Sequence, residues 1–71
     1  MKISDSVSLG KAIRNRRKQL GYTQKNISDF TGLSVSFLSD LENGKPTAEL
    51  EKAFSVANLL SLDIFVEERG K

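Results

Sequence analysis

The sequence predicts an all-α fold, a bundle of four to five short helices that ends in one short C-terminal β-strand. Apolar residues recur with helical spacing in four blocks, and a capping residue or a glycine separates each block from the next. Only the final residues alternate in the manner of a strand. With 71 residues and no linker, repeat or low-complexity stretch, the chain is interpreted as a single domain, residues 1–71.

The first helix is predicted from about Val7 to Leu20, with Asp5 or Ser6 as its N-cap and Gly21 at its end. Apolar residues three or four positions apart give it one face that is expected to be buried. This face comprises Leu9, Ile13 and Leu20, with Ala12 beside them.

The second helix is predicted from Gln24 to about Phe30, between a Thr23 cap and Gly32. Its inward side chains are expected to be Ile27 and Phe30.

The third helix is predicted from Val35, after a Ser34 cap, to about Glu42, just before Gly44. Leu38 and Leu41 are expected to face the core, and Phe37 is expected to pack against the fourth helix.

The fourth helix is predicted after Pro46, with Thr47 as its cap and Glu49 and Glu51 in its first turn, where the helix dipole favours acids. It is expected to end near Leu60, and its predicted core stripe is Leu50, Ala53, Phe54, Ala57 and Leu60.

The tail begins with an alternating pattern, is rich in β-forming residues and predicts a strand at residues 62–68. A lone strand leaves its backbone groups unpaired, and the simplest partner is the same strand of a second copy across a two-fold axis. A disordered tail is the alternative interpretation. The predicted homodimer interface comprises Val56, Leu59, Leu62, Ile64, Phe65 and Val66.

The composition argues against several classes of function. Because there is no cysteine and no histidine, the chain lacks disulfides, thiolate metal sites and the commonest general base. An enzyme is therefore the least favoured class, and no cofactor and no metal are expected. No apolar run is long enough to span a membrane, so we expect a soluble, cytoplasmic protein associated with the nucleoid.

The charges are unevenly distributed, although the formal net charge is only +2. Through Lys25 the chain carries seven bases and one acid, whereas the remainder carries four bases and eight acids. Such asymmetry indicates a polyanionic partner, although an ordinary solvated helix face would also explain it.

The second and third helices are joined by a short turn around Gly32, which is typical of a helix-turn-helix motif, here residues 23–43. In that motif the second helix enters the DNA major groove. The exposed face of this helix carries Val35, Ser36, Ser39 and Asp40. A solvent-facing helix with hydroxyl groups selected for solubility is the alternative.

The stretches LGKAIRNRRKQLGYTQ and FTGLSVSFLSDLENGKPT resemble the Xre/Cro-type helix-turn-helix repressor family over about residues 8–60. The resemblance implies a lambda-repressor-like bundle. Within that family, FLSDLENGKPTAEL followed by a short strand is similar to the HipB-like antitoxins. Those proteins are dimeric, repress their own operon and partner HipA-like Ser/Thr kinase toxins.

The resemblance also implies roles for individual residues. Val35, Ser36 and Asp40 match positions from which family repressors read bases. Arg17 lies on the apolar stripe of the first helix and needs a partner, and both its position and the resemblance indicate a structural ion pair with Glu42. The alternative leaves both charges in solvent. The candidate phosphate contacts are Gln24, Thr23, Ser34, Asn43, Lys45 and Arg14. In the loop after the third helix, the resemblance implies that the backbone amides of Asn43 and Gly44 and the ammonium of Lys45 hold a phosphate.

The sequence therefore predicts a sequence-specific repressor that binds near-palindromic, double-stranded operator DNA. The resemblance adds the role of antitoxin and autoregulator of a HipA-like toxin-antitoxin operon. An orphan or phage-type Xre regulator and a helical protein-interaction module without DNA binding are the alternatives.

Overall fold

The computed structural model describes residues 2–46 and 49–70, in which four helices form: α1 (Ser6–Gln19), α2 (Gln24–Thr31), α3 (Val35–Glu42) and α4 (Leu50–Leu59). α3 packs against both α1 and α2, and α4 packs against α2. The all-α prediction is confirmed, and the first three helices begin and end within one residue of the predicted positions.

The predicted N-caps explain why the first three helices begin where they do. The Asp5 carboxylate accepts a hydrogen bond from the Ser8 backbone N–H at 2.8 Å, and this bond lowers the pKa of Asp5. At the start of α2, Thr23 and Asn26 form a capping box, in which the side chain of each accepts a hydrogen bond from the backbone N–H of the other. At α3, the Ser34 hydroxyl accepts the Phe37 N–H at 3.0 Å. All three caps are confirmed.

α4 begins later than predicted. Glu49 is the N-cap of α4 and therefore precedes the first turn, and its side chain makes no capping hydrogen bond. Glu51 lies within the first turn, as predicted. The predicted cap, Thr47, lies outside the described residues.

A small apolar core lies where the four helices meet. Ile13, Ile27, Leu38 and Leu41 are buried as predicted, and Phe37 packs against this core with the Lys52 ammonium of α4 5.7 Å from its ring centroid. α4 contributes Ala53, Val56, Ala57 and Leu60.

Four residues predicted to face the core are exposed: Leu20, Phe30, Leu50 and Phe54. On α4 the buried face includes Val56, so the apolar residues at the start of the helix lie outside it. Phe30 instead packs edge-to-face on Tyr22, with 5.5 Å between ring centroids. Leu20 is the C-cap of α1, at the edge of the bundle.

Two glycines allow α1 to approach the end of α3 closely. A Cβ on Gly10 would lie 2.4 Å from the Leu41 carbonyl oxygen, and a Cβ on Gly44 would lie 2.7 Å from the Val7 Cα. Gly44 also has a φ of +78°, which disfavours other residues. The Ser6 hydroxyl donates to the Gly44 carbonyl at 2.9 Å and reinforces this contact.

No strand forms in the parts of the chain that the structure describes, and residues 62–68 have no regular secondary structure. The predicted strand is thus not a property of the single chain. The physical reason is that the four-helix body offers no strand edge to hydrogen-bond with it. Pairing of this segment across a dimer stays a prediction.

Candidate nucleic-acid interface

The outer face of α3 presents the residues that the sequence proposed as base readers. Val35 and Ser36 are exposed, while Ser39 and Asp40 are half-buried. Leu38 and Leu41 lie on the opposite face and anchor the helix in the core. Together the four side chains form one surface that carries the methyl groups of Val35, two hydroxyl groups and one carboxylate.

The turn before α3 is fixed by two hydroxyl groups of α2 that the sequence analysis did not single out. The Ser28 hydroxyl donates to the Leu33 carbonyl at 2.6 Å. The Thr31 hydroxyl donates to the Ile27 carbonyl at 2.7 Å and accepts the Leu33 N–H at 3.1 Å. Hydroxyl residues in the last turn of a helix commonly form such local bonds, so they were the available signal. These bonds set the direction in which α3 leaves the turn.

The predicted ion pair between Arg17 and Glu42 is present and buried. The guanidinium Nε and Nη2 atoms donate to the two carboxylate oxygens at 2.7 and 2.9 Å. The Nη1 atom donates to the Tyr22 carbonyl at 2.8 Å. The hydrogen bonds that Arg17 donates to Glu42 outweigh desolvation and raise the pKa of Arg17. The pair joins α1 to the end of α3 by a bidentate contact.

The start of α2 holds two of the predicted phosphate-binding residues. The Gln24 side-chain Nε2 donates to the Glu42 Oε1 at 3.2 Å, which links this residue to the buried ion pair. The exposed Thr23 hydroxyl accepts the Asn26 N–H at 3.1 Å. Both side chains are therefore positioned by the fold, next to the first backbone N–H groups of α2.

The loop after α3 does not offer the backbone amides that the sequence analysis assigned to a phosphate. The amides of Asn43, Gly44 and Lys45 donate at 3.0–3.1 Å to the carbonyls of Ser39, Leu41 and Asp40. This is the Schellman pattern that follows from a left-handed glycine after a helix. The amides of Asn43 and Gly44 are thus already occupied, which corrects their assignment to a phosphate, and the side chains of Asn43 and Lys45 stay the candidate contacts of this loop.

The bases of α1 have different roles. Arg14 is exposed and available for a phosphate, as are Lys11 and Lys18. Arg16 is half-buried, and its Nε donates to the Leu60 carbonyl at 2.9 Å. Because this bond satisfies the C-terminus of α4, Arg16 braces the bundle and contributes less to the cationic surface than its charge suggests.

The residues predicted to form a dimer interface fall into two groups. Val56 is 1% exposed and belongs to the core of the single chain, so it cannot form part of an exposed interface. Leu62 is half-buried against that core. The remaining four are exposed apolar side chains: Leu59, Ile64, Phe65 and Val66.

The described side chains therefore combine a helix α3 whose outer face is free of the core, a start of α2 whose side chains are held by hydrogen bonds, and exposed bases on α1. This geometry defines a helix-turn-helix domain of the class used by DNA-binding regulators. No helix in residues 2–46 or 49–70 is long and apolar enough to cross a bilayer.

The chain belongs to the Xre-type helix-turn-helix family, whose sequence model matches residues 13–65. It is 30% identical over 70 residues to the uncharacterized HTH-type transcriptional regulator y4mF of Sinorhizobium fredii, a match that covers 99% of this chain and 92% of that protein. It is 32% identical over 62 residues to the ImmF control region 10 kDa protein of Bacillus phage phi105, covering 87% of this chain and 69% of the phage protein. The family is one of transcriptional regulators and not of enzymes.

The fold is also similar to solved structures of HipB. The chain superposes on HipB in a HipB–O4 20mer complex with a TM-score of 0.88 at 24% identity, covering 99% of both chains. The match to a HipA–HipB–O2–O3 complex has a TM-score of 0.89, again at 24% identity and 99% coverage of both chains. At this identity the likeness establishes the four-helix fold.

Proposed function

We propose that this protein is a dimeric repressor that recognises a near-palindromic operator in double-stranded DNA. The observation that carries the proposal is the outer face of α3, where Val35, Ser36, Ser39 and Asp40 lie side by side. The two hydroxyl groups of α2 that fix the turn before α3, together with the buried ion pair, hold this face in one orientation. Membership in a family of helix-turn-helix transcriptional regulators supports the same function.

The chemistry of this face suits a small number of modest base contacts. Val35 packs on a thymine methyl, Ser36 donates to or accepts from a base edge, and Asp40 accepts from the N4 amino group of cytosine. Ser39 lies beside them. The face has no arginine for the bidentate guanine contact that gives strong discrimination. Much of the affinity then comes from phosphates.

The phosphate contacts come from side chains around α3. Thr23, Gln24 and Ser34 lie at helix starts, where free N–H groups and the helix dipole favour an anion. Arg14, Asn43 and Lys45 complete the set. Each neutralised phosphate adds about 0.9 to the slope of log affinity against log salt.

Two variants separate these contributions. Arg14→Gln is expected to lower the salt slope by about 0.9 for each protomer bound. Ser36→Ala is expected to weaken the preferred duplex by roughly 1 kcal/mol while leaving the salt slope unchanged. Fluorescence anisotropy with a labelled duplex across a salt series measures both.

Lys52→Gln is the matched charge control, since Lys52 lies on α4 and pairs with Glu49 at 3.2 Å. Lys52→Gln should change neither the salt slope nor the affinity for the preferred duplex. An unchanged slope in Arg14→Gln would remove Arg14 from the interface. Duplex binding that is equally weak and insensitive to salt in all variants would favour a protein-interaction module without DNA binding.

The dimer would present two recognition helices to successive major grooves, about 34 Å apart. Its surface comprises the exposed apolar side chains of the end of α4 and the tail, in particular Phe65, which is 80% exposed. An antiparallel ribbon of two such tails would satisfy the backbone groups that the single chain leaves unpaired.

Phe65→Glu is expected to weaken dimerisation at least tenfold, about 1.4 kcal/mol, because it introduces a charge into the apolar ribbon. The fold of each protomer should survive, since Phe65 contributes little to the core. Leu50→Glu is the control, as Leu50 is an exposed apolar residue of α4 outside the proposed surface. Sedimentation equilibrium of both variants measures the dissociation constant of the dimer. A dimer of unchanged affinity in Phe65→Glu would contradict the ribbon.

A partnership with a HipA-like kinase toxin is the second part of the proposal, and the chain would then act as antitoxin and autoregulator of their operon. The match over 99% of both chains to HipB in a HipA–HipB–O2–O3 complex supports it. Copurification of this protein with the product of an adjacent kinase gene is the test. A stable complex is expected, and the lack of any such gene or complex would favour an orphan regulator.

A further inference from the structure

The proposed base readers and the proposed phosphate binders are bonded to one another in the free protein. The Asp40 Oδ2 lies 3.4 Å from the Lys45 Nζ. Beside this pair, the Asn43 side-chain Nδ2 donates to the Ser39 hydroxyl at 3.4 Å. A contact of Lys45 with DNA therefore changes what Asp40 faces.

The backbone that carries this pair is held in place. The Lys45 N–H donates to the Asp40 carbonyl at 3.0 Å, so the two residues are joined at the main chain as well. Gly44 between them is buried against Val7, and its carbonyl accepts the Ser6 hydroxyl at 2.9 Å. An exchange of partners at this point consequently involves the side chains and not the loop.

The pair itself is weak enough to exchange. The two side chains are 55% and 44% exposed, and an ion pair in such a setting contributes about 0–1 kcal/mol. A DNA phosphate offers the lysine ammonium an alternative partner. Once the Lys45 ammonium leaves, however, the Asp40 carboxylate lies unpaired near the negative DNA backbone, which is unfavourable unless a base donates a hydrogen bond to it. Cytosine N4 is the major-groove donor that suits an aspartate.

We infer that Asp40 and Lys45 form a base-dependent switch, in which Lys45 binds a phosphate only when a cytosine amino group takes its place on Asp40. At any other base pair the carboxylate retains Lys45, and one phosphate contact is lost in each half-site. The identity of one base thereby determines whether Lys45 contacts a phosphate, and with it the salt-dependent part of the affinity. This inference rests on the proposed function as a DNA-binding repressor.

The test compares salt slopes on two duplexes. The first carries the preferred sequence selected by the protein, and the second replaces the cytosine that faces Asp40 in both half-sites. For the unaltered protein, the slope of log affinity against log salt is expected to be steeper on the first duplex by about 0.9 for each half-site. Fluorescence anisotropy from low to near-physiological salt measures it.

Two variants isolate the coupling. In Asp40→Asn, Lys45 has no carboxylate to retain it, so both duplexes should show the same steep slope and the second duplex should be bound more tightly than by the unaltered protein. In Lys45→Gln, both duplexes should show the same shallow slope. Asp29→Asn is the matched control, because it breaks another exposed ion pair, 2.7 Å from Lys25, and should preserve the difference between duplexes.

The outcomes are separable. Equal slopes of the unaltered protein on both duplexes would overturn the switch while leaving the repressor intact. A preferred sequence without a cytosine opposite Asp40 would do the same. If the protein shows no salt-dependent affinity for any duplex, the proposed function fails and the inference fails with it.

Discussion

Arg17→Met is expected to lower the free energy of unfolding by about 3–5 kcal/mol, because it leaves the Glu42 carboxylate buried without its partner. Only 4% of the Glu42 side chain is exposed, and two of its hydrogen bonds come from Arg17. The remaining bond, from Gln24 at 3.2 Å, does not neutralise the charge. The loss is a large fraction of the total stability of a small domain, about 5–15 kcal/mol.

Urea unfolding followed by circular dichroism measures this loss. The double variant Arg17→Met/Glu42→Leu should recover much of it, since a buried ion pair replaced by apolar side chains is often near neutral. Recovery should be incomplete, because the Tyr22 carbonyl also loses its donor.

Lys25→Met is the control for this ion pair. It removes an exposed pair with Asp29 of equal length, 2.7 Å, and should change stability by less than about 1 kcal/mol. A stability of Arg17→Met close to that of the unaltered protein would show that the pair does not brace α1 against α3.

Gly10→Ala is expected to destabilise the protein, although alanine is favoured over glycine in a helix by about 1 kcal/mol. The new Cβ would lie 2.4 Å from the Leu41 carbonyl oxygen and 2.8 Å from that of Glu42. Both are backbone atoms, so α1 and α3 would have to separate. Overpacking of this kind typically costs about 1–3 kcal/mol.

Asn15→Ala on the same helix is the matched control, because this position is exposed and should gain the usual helix propensity. Thermal unfolding of both variants gives the comparison. Because α3 carries the proposed base-reading face, Gly10→Ala should also weaken DNA binding at temperatures where it remains folded. A melting temperature equal to or above that of the unaltered protein would contradict the close approach.

The elements that the sequence predicted well are those with local signals. Thr23 and Ser34 are capping residues, Gly32 and Gly44 follow helix ends, and each signal acts within a few residues of itself. The helix-turn-helix and its outer face follow from these boundaries. The ion pair was also predictable, because a charge within an apolar stripe needs a partner.

The incorrect predictions concern features that depend on how the helices pack against one another. On α4, the predicted stripe includes Leu50 and Phe54, whereas the buried stripe includes Val56 instead, and the two share Ala53, Ala57 and Leu60. The sequence pattern allows either stripe, and only the position of α4 against α2 selects the second. The requirement for Gly10 could not be predicted for the same reason, because it depends on Leu41 and Glu42 at the end of α3, which are distant in the chain.

The loop after α3 was misassigned for a different reason. Its glycine was recognised as a helix end, but the amides that follow such a glycine return to the helix carbonyls, as those of Gly44 and Lys45 do. The Schellman pattern that Gly44 indicates therefore leaves these amides no free N–H for a phosphate.

Selection of bound duplexes from a random DNA pool, with the purified protein at near-physiological salt, tests whether α3 recognises a DNA sequence. We expect an enriched near-palindrome whose half-sites lie one helical turn apart, about 34 Å, with base preferences facing Val35, Ser36 and Asp40. No enrichment, with weak binding that disappears as salt rises, would contradict recognition of sequence by the face of α3.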